Sequence, residues 1–304
     1  MFPVVIGGAV VAALCTVSLV LYIPVLVVFS RRLEFKSILA YRLMFWSGVM
    51  DVGQLVVIGI VCLAAAFQWI QLPFYLNKVL GATLYSLWIS MLFLSVVTTV
   101  NRLVSVVFPS YYSSIFDVHC VRVIYLVAFL VFLIPWLTKL TPFSSYYFNV
   151  QSLAWQYLPE DIWILSRLSH YAGTYGIIAR AVCAAIAYTA IFAYIFSRKK
   201  RSMKWSEVIL TIQHFLVSLV YLSGFIYWEF VGDAVEEDLL FNFFSNLIWA
   251  FIVGLNPFIY ISVNRRLRRS VLLLVITTEW GSDSAVTTLQ KREKFLTAAR
   301  GRQK

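Results

Sequence analysis

Seven long apolar stretches constrain what this chain can fold into. They cover residues 3–30, 38–67, 73–108, 121–140, 168–197, 208–230 and 239–263. Each is long enough for the roughly 20 residues that a helix needs to cross a bilayer core. A water-soluble fold could not cover this much apolar surface, because 61% of the 304 residues are hydrophobic and only 13% are charged. The sequence therefore predicts an all-α membrane protein, a bundle of seven transmembrane helices.

Charges in the connecting loops alternate in sign and predict the orientation. The loops after the first, fifth and seventh stretches are basic, with Arg31, Arg32, Lys36, Arg198, Lys199, Lys200, Arg201, Lys204, Arg265, Arg266, Arg268 and Arg269. Two alternate loops are acidic, with Glu160, Asp161, Glu229, Asp233, Glu236, Glu237 and Asp238. Basic loops stay in the cytoplasm. We expect a multi-pass protein of the cell membrane, with the first stretch as a signal anchor, the N-terminus outside and the C-terminus cytoplasmic.

Several classes of protein fit the sequence poorly. The net charge of +11 is explained by basic cytoplasmic loops, so no nucleic-acid partner is expected. The three histidines are dispersed and no nucleophile stands beside a base, which predicts no enzyme, no metal and no cofactor. Cys15, Cys62, Cys120 and Cys183 are expected to be packing residues. A transporter or channel would show several intramembrane charges on one path or two similar halves. That class, and a receptor-like protein that only chaperones or forms heteromers, remain the alternatives.

Asp51 is an acid near the middle of the second stretch. A carboxylate at that depth must be neutral, paired or hydrated. One hypothesis is a buried polar switch or a cation site. The other is a protonated acid that hydrogen-bonds across helices.

The third stretch ends in Asn101-Arg102-Leu103, and Pro109 follows seven positions after the arginine. An arginine near the end of a membrane helix is costly unless it reaches water or a partner. The proline ends the helix or turns the chain. Arg102 is therefore either the functional inner end of this helix or a side chain that extends to the headgroups.

Arg180 lies in the fifth stretch, 18 residues before Arg198, which places it about 27 Å above the inner edge of the membrane. It could attract an anionic group of a ligand, pair with Glu229, or extend to the outer headgroups. Aromatic residues at similar depth would belong to an interfacial belt or together line a ligand pocket. These residues are His170, Tyr171, Tyr175, Tyr227 and Trp228.

The seventh stretch contains Asn256-Pro257 and, one turn later, Tyr260. The proline frees backbone carbonyls and kinks the helix. Residues 264–276 then alternate basic and apolar positions at helical spacing, which predicts an amphipathic helix on the anionic inner leaflet or a basic stop-transfer flank. Its basic residues are Arg265, Arg266, Arg268 and Arg269.

Residues 1–263 would form the bundle and residues 277–304 a flexible cytoplasmic tail. The aromatic-rich segment 141–167 would fold over the bundle or lie in the interface.

These motifs resemble those of rhodopsin-like G-protein-coupled receptors. Asn101-Arg102-Leu103 with Pro109 resembles their Asp/Glu-Arg-Tyr…Pro element at the inner end of the third helix. Asn256-Pro257-Phe258-Ile259-Tyr260 resembles their Asn-Pro-x-x-Tyr element, and Asp51 stands where they keep an acid in the second helix. Within that superfamily, residues 41–55 (YRLMFWSGVMDVGQL) look like nematode serpentine chemoreceptors, in particular class T (Srt).

The resemblance implies a chemosensory receptor. A small molecule would bind in the outer half, between the third, fifth, sixth and seventh helices, and Arg102 would engage a heterotrimeric G-protein. Asn256 and Tyr260 would rearrange with Asp51 and Arg102 during activation.

The sequence departs from the pattern in four places. Asn101 replaces the acid, the sixth stretch has no proline, the first lacks the usual asparagine, and segment 141–167 has no cysteine, so packing must hold it.

Overall fold

The computed structural model describes residues 2–68, 71–158, 164–197, 205–231 and 238–276. In chain order, its elements are α1 (Phe2–Arg31), α2 (Leu33–Lys36), α3 (Leu39–Ala66), α4 (Phe74–Val107), a 3₁₀ turn (Pro109–Tyr111), α5 (Tyr112–Ile115), α6 (Val118–Leu140), β1 (Ser145–Asn149), β2 (Ala154–Leu158), α7 (Ile164–Ser197), α8 (Trp205–Val231), α9 (Leu239–Val263) and α10 (Arg265–Ile276). Among the described residues, seven helices are long and apolar enough to span a membrane: α1, α3, α4, α6, α7, α8 and α9. This confirms the predicted seven-helix bundle.

The bounds of these helices differ from the predicted ones by a few residues at most ends, and local chemistry explains one difference. α6 begins at Val118, three residues before the predicted start, because the Asp117 carboxylate accepts a hydrogen bond from the Cys120 backbone N–H (2.7 Å). This N-cap satisfies an amide that the first turn leaves without a helical partner. At the end of α4, the helix stops at Val107 and the chain turns at Pro109.

α4 is the central helix of the bundle. It contacts α3, α6, α7, α8 and β1. In an apolar 18-residue stretch of α4, 61% of the residues are buried within the protein. In the corresponding stretch of α6, only 6% are buried. The hydroxyls of Thr98 and Thr99 donate to carbonyls one turn earlier, those of Leu94 and Ser95 (2.7 and 2.9 Å). These two hydroxyls can therefore lie within the bundle without leaving their donors unpaired.

The segment between α6 and α7 contains a β-hairpin that the sequence did not predict. β1 and β2 pair antiparallel, with Tyr146 opposite Tyr157 and Phe148 opposite Trp155. Tyr146 and Phe148 lie on the same face of β1, and both are buried. The hairpin thus packs onto the bundle, as expected for this aromatic segment.

Two asparagines fix the hairpin to the helices. The Asn77 amide on α4 donates to the Phe148 carbonyl (2.8 Å) and accepts from its N–H (2.9 Å), as a neighbouring strand would. The Asn246 amide on α9 donates to the Leu153 carbonyl (2.7 Å) and accepts from the Trp155 indole (3.1 Å). All four cysteines are free. Paired amides, together with packing, therefore hold this segment, which contains no cysteine.

Lys139 strengthens the same attachment. Its side chain is fully buried at the end of α6, and its ammonium donates to the Ser144 hydroxyl (2.9 Å). The ammonium also lies 4.7 Å from the ring centroid of Tyr85 and 4.6 Å from that of Tyr157. Both distances are those of a cation–π contact.

We expect Asn77→Ala to loosen the hairpin, because it removes both hydrogen bonds and leaves the Phe148 backbone without its partner. The expected loss is about 1–3 kcal/mol of local stability. Hydrogen–deuterium exchange over residues 145–158 measures it. Gln151→Ala, at an exposed position of the same hairpin turn, is the control and should leave exchange unchanged. Equal exchange in Asn77→Ala and the wild type would show that the Asn77 amide does not hold the hairpin.

Candidate functional site

Asp51 is the centre of a polar cluster in the middle of the bundle. Its side chain is 1% exposed. Its carboxylate accepts hydrogen bonds from the Tyr22 hydroxyl on α1 (2.5 Å), the Asn256 amide on α9 (2.8 Å) and, at a longer 3.4 Å, the Tyr221 hydroxyl on α8. The predicted residues Asp51 and Asn256 are thus in direct contact, and one carboxylate connects four helices.

Arg180 belongs to this cluster. It is 5% exposed, and its Nε donates to the Ser95 hydroxyl on α4 (2.6 Å). Its guanidinium carbon lies 3.9 Å from the ring centroid of Tyr221. The Tyr221 side chain therefore contacts both charges, with its ring against Arg180 and its hydroxyl on Asp51.

The suggestion that Arg180 extends to the outer headgroups is wrong. α7 begins at Ile164 and is 34 residues long, so Arg180 lies at its middle. Gly173 and Gly176 on the same face let α7 approach Trp88 and Leu92 of α4 closely. That packing turns Arg180 towards the interior. The suggested partner Glu229 has a side chain outside the described residues.

Opposite charges in the cluster compensate each other without touching. No ion pair within 4.0 Å joins Asp51 to Arg180 in the described ranges, but both side chains contact Tyr221, so a carboxylate and a guanidinium would attract each other across it. In a medium of low dielectric constant such attraction acts over several ångströms. A buried charge that lost its counter-charge would be strongly destabilising.

We call the end of the bundle that carries the β-hairpin the outer end and the end that carries α10 the inner end. An aromatic layer lies on the outer side of the cluster. Gln54, nearly one turn outward from Asp51, accepts a hydrogen bond from the Trp249 indole (3.0 Å). The Trp249 ring contacts Trp88 and Trp228, with centroids 6.1 and 6.0 Å apart. These four side chains, from α3, α4, α8 and α9, separate the charged cluster from the outer half of the bundle.

The structure does not bring the predicted pocket residues together. Tyr171 and Tyr175 are 47% and 65% exposed, and His170 is exposed beside them. The reason is helical periodicity, because these positions lie on a face of α7 different from the one that packs on α4. Tyr227 stacks on Phe241 (5.6 Å). Of the five aromatic residues only Trp228 takes part in the layer above the charges.

A small cavity of about 30 Å³ lies beside Asp51 and extends towards the inner end. Its lining includes Asp51, Tyr188, His214, Asn256 and Tyr260. Asn256 Oδ1 and His214 Nε2 are buried and have no hydrogen-bond partner among the described residues. A polar cavity of this size can hold water. The lining reaches Thr98, one helical turn before Arg102 on α4.

Arg102 is also buried, with 1% exposure, which contradicts the suggestion that it extends to the headgroups. Its Nη2 donates to Asn101 Oδ1 (2.8 Å), and Asn101 Nδ2 donates to the Tyr112 hydroxyl on α5 (3.1 Å). Asn101 therefore still restrains the arginine, although it is uncharged. It also connects the arginine to the loop that follows Pro109.

Tyr260 joins α9 to its neighbours at the inner end. Its side chain is 3% exposed, and its ring lies 6.3 Å from that of Phe29 on α1. Its carbonyl accepts a hydrogen bond from the Gln213 amide on α8 (3.1 Å). Pro257 lies inside α9, one turn before Tyr260.

α10 occupies residues 265–276 of the segment for which an amphipathic helix was predicted. Leu267 and Val271 are buried, whereas three of the four arginines, Arg265, Arg266 and Arg269, are exposed. Arg268 instead folds back and donates to the carbonyls of Ile261 and Ser262 (3.1 and 2.9 Å). It therefore caps the end of α9. The tail 277–304 and the basic loop at 198–204 lie outside the described residues.

Sequence reasoning missed Tyr22, Tyr221 and His214, all of which touch the cluster or its cavity. Tyrosines are common in membrane helices, so their type alone carried no signal. A spacing signal did exist, because His214, Tyr221 and Trp228 follow one another at seven-residue intervals on α8. Within the described residues no group of three or more His, Cys, Asp or Glu side chains could hold a metal ion.

The comparisons with known proteins give one family. The family model described as "Serpentine type 7TM GPCR chemoreceptor Srt" matches residues 3–283. The matched region contains all seven spanning helices, the polar cluster, and both the Asn101-Arg102 and Asn256-Pro257 elements. No curated protein matches the chain.

We expect Asp51 and Arg180 to be energetically coupled. In a double-mutant cycle with Asp51→Asn and Arg180→Gln, each single change leaves one uncompensated buried charge, and the double change removes both. The coupling energy should be about 1 kcal/mol or more. Unfolding of the purified protein measures it. The control cycle pairs Asp51→Asn with Arg265→Gln, at an exposed position on α10, and should be additive within about 0.5 kcal/mol. Additivity in both cycles would contradict the coupling.

Proposed function

Because the chain belongs to the Srt family of serpentine seven-transmembrane chemoreceptors, we propose that it binds a small molecule in the outer half of its bundle and activates a heterotrimeric G-protein at the inner face. The observation that carries this proposal is the Asp51 cluster. It connects α1, α3, α8 and α9 through one carboxylate, and a polar cavity leads from it towards the inner end.

The ligand would act on the aromatic layer formed by Gln54, Trp88, Trp228 and Trp249. A molecule bound outside this layer can displace Trp228 relative to Trp249, and hence α8 relative to α9. We place the ligand between α4, α7, α8 and α9. His170, Tyr171 and Tyr175 are then near the entrance rather than on the wall of the site, because they are exposed.

α8 is the helix best suited to move. Its hydrogen bond from Tyr221 to Asp51 is the longest of the three on that carboxylate, 3.4 Å against 2.5 and 2.8 Å. It carries no proline, so we propose that it moves as a rigid rod. Gly224 lies directly against the Ile252 side chain of α9 and offers a close pivot. The ligand would shift the population between two arrangements of packed helices.

The inner response would be the release of Arg102. In the structure Asn101 accepts its hydrogen bond, and a neutral acceptor holds a guanidinium less strongly than a carboxylate does. Opening of α8 would free Arg102 for the G-protein's C-terminal helix, while Asn256 and Tyr260 rearrange around the cavity. Pro109 ends the helix directly beneath this site. Arg265, Arg266 and Arg269 would rest on the anionic inner leaflet.

We expect Arg102→Ala to lower G-protein activation by about tenfold or more, because it removes a charged hydrogen-bonding group from the inner face. Ligand binding should be unaffected, since Arg102 lies two helical turns inward from Ser95 in the charged cluster. The measurement is nucleotide exchange on a panel of purified heterotrimeric G-proteins with the receptor in nanodiscs.

Lys36→Ala, an exposed basic residue of the loop after α1, is the matched control and should retain exchange. A correctly folded Arg102→Ala protein with wild-type exchange would refute the role assigned to Arg102.

Orientation can be tested separately. With an epitope tag at each end, we expect the N-terminal tag to stain in intact cells and the C-terminal tag only after permeabilisation, because the basic loops should remain cytoplasmic. The reverse pattern would place Arg102 and α10 on the side that has no G-protein. It would refute the receptor mechanism and favour a channel or transporter.

A further inference from the structure

The side chain of Arg42 has no hydrogen-bond or ion-pair partner among the described residues. It lies in the first turn of α3 and is half-buried. Its Nε–H is buried and donates to no acceptor, and its side chain forms no hydrogen bond or ion pair within the described part of the chain. A cation in this position normally finds an anion or water.

Tyr125 on α6 presents a second unpaired donor at the same place. Its hydroxyl is buried and has no hydrogen-bond partner among the described residues, and the Arg42 charge acts on it electrostatically. Its ring lies 6.3 Å from that of Trp46, which is one turn from Arg42 on α3 and 43% exposed. Two helices therefore bring one cation and one hydroxyl close together beside Trp46, and we call the surface around these three side chains the cleft.

The acidic residues at this end that the structure describes are already engaged. Glu34 lies 4.0 Å from Arg32 in an ion pair, and Asp117 caps α6 through the Cys120 N–H. The next charged residue on α6 is another cation, Arg122, which is exposed one turn before Tyr125. The cleft thus has an excess of positive charge, which suits an anion from outside the protein.

The surroundings of the cleft are those of a lipid. In the apolar 18-residue stretch of α6, only 6% of the residues are buried within the protein. Leu126 and Phe129, directly beyond Tyr125, are 57% and 56% exposed. An acyl chain could lie on this surface while its headgroup reaches Arg42. A free phosphate ion would gain nothing from the apolar part.

We propose that the cleft between the inner ends of α3 and α6 binds the phosphate group of an anionic phospholipid. Arg42 provides the guanidinium, which suits the geometry of a phosphate. The Tyr125 hydroxyl donates a further hydrogen bond, and Trp46 lies at the level of the headgroup. Placement in the anionic inner leaflet rests on the orientation given in the proposed function. This lipid would join α3 to α6.

The test is native mass spectrometry of the full-length protein, released from detergent with added lipid. The probes are phosphatidylserine, phosphatidylcholine and inorganic phosphate. The wild type should bind one phosphatidylserine in clear preference to phosphatidylcholine. Arg42→Gln should weaken that binding about tenfold, the effect of one lost charged hydrogen bond. Arg167→Gln, an exposed arginine near the opposite end of the bundle, is the charge-matched control and should bind as the wild type does.

Tyr125→Phe keeps the ring and removes only the hydroxyl, so it tests the site even if Arg42→Gln does not fold. It should weaken phosphatidylserine binding severalfold. Unchanged binding in either folded variant would overturn the proposal, as would equal weakening in Arg167→Gln. If millimolar inorganic phosphate displaced the lipid, the site would bind free phosphate rather than a phospholipid, and the proposal would be overturned. None of these readouts requires a G-protein or a chemosensory ligand, so failure of the proposed function would leave them unaffected.

Discussion

A carboxylate in the middle of a membrane bundle must be surrounded by donors, and Asp51 obtains them from three other helices. The phenols of Tyr22 and Tyr221 and the amide of Asn256 converge on it. Lipid offers no substitute for any of these hydrogen bonds, so the helices that provide them must hold their rotation and depth. Apolar contacts alone would constrain the bundle less, because lipid tails compete with them on nearly equal terms.

The charge of Arg180 adds a second constraint to the same region. Ser95 and the ring of Tyr221 hold the guanidinium within the field of Asp51. Burying two opposite charges gives little net stability, but removing either one alone is costly. Such an arrangement specifies which helices are neighbours more than it raises stability. It makes the charged cluster sensitive to any shift of α7 or α8.

The sequence alone predicted the elements whose signal is local. Apolar length gave all seven spanning helices, and the spacing of Asn101-Arg102 and of Asn256-Pro257 gave the inner motifs. The hairpin could not be predicted, since its anchor, Asn77, lies 71 residues from Phe148. Arg180 was placed too far outward because its depth was counted from Arg198, although α7 extends beyond one membrane thickness. The pocket residues were predicted from their depth in the membrane alone. The face of the helix on which each one lies was not taken into account, and Tyr171 and Tyr175 are exposed.

The helices themselves explain how the outer and inner halves could communicate. Residues seven apart on a helix lie two turns, about 10.5 Å, from each other and on nearly the same face. On α4 and α8 the functional side chains repeat at this interval in three layers: Trp88, Ser95 and Arg102 on one helix, Trp228, Tyr221 and His214 on the other. The outer pair belongs to the aromatic layer, the middle pair contacts Arg180, and the inner pair interacts electrostatically. A tilt of one rigid helix against the other would change all three layers together. No chain of side-chain rearrangements is then needed to carry a signal from Trp228 to Arg102.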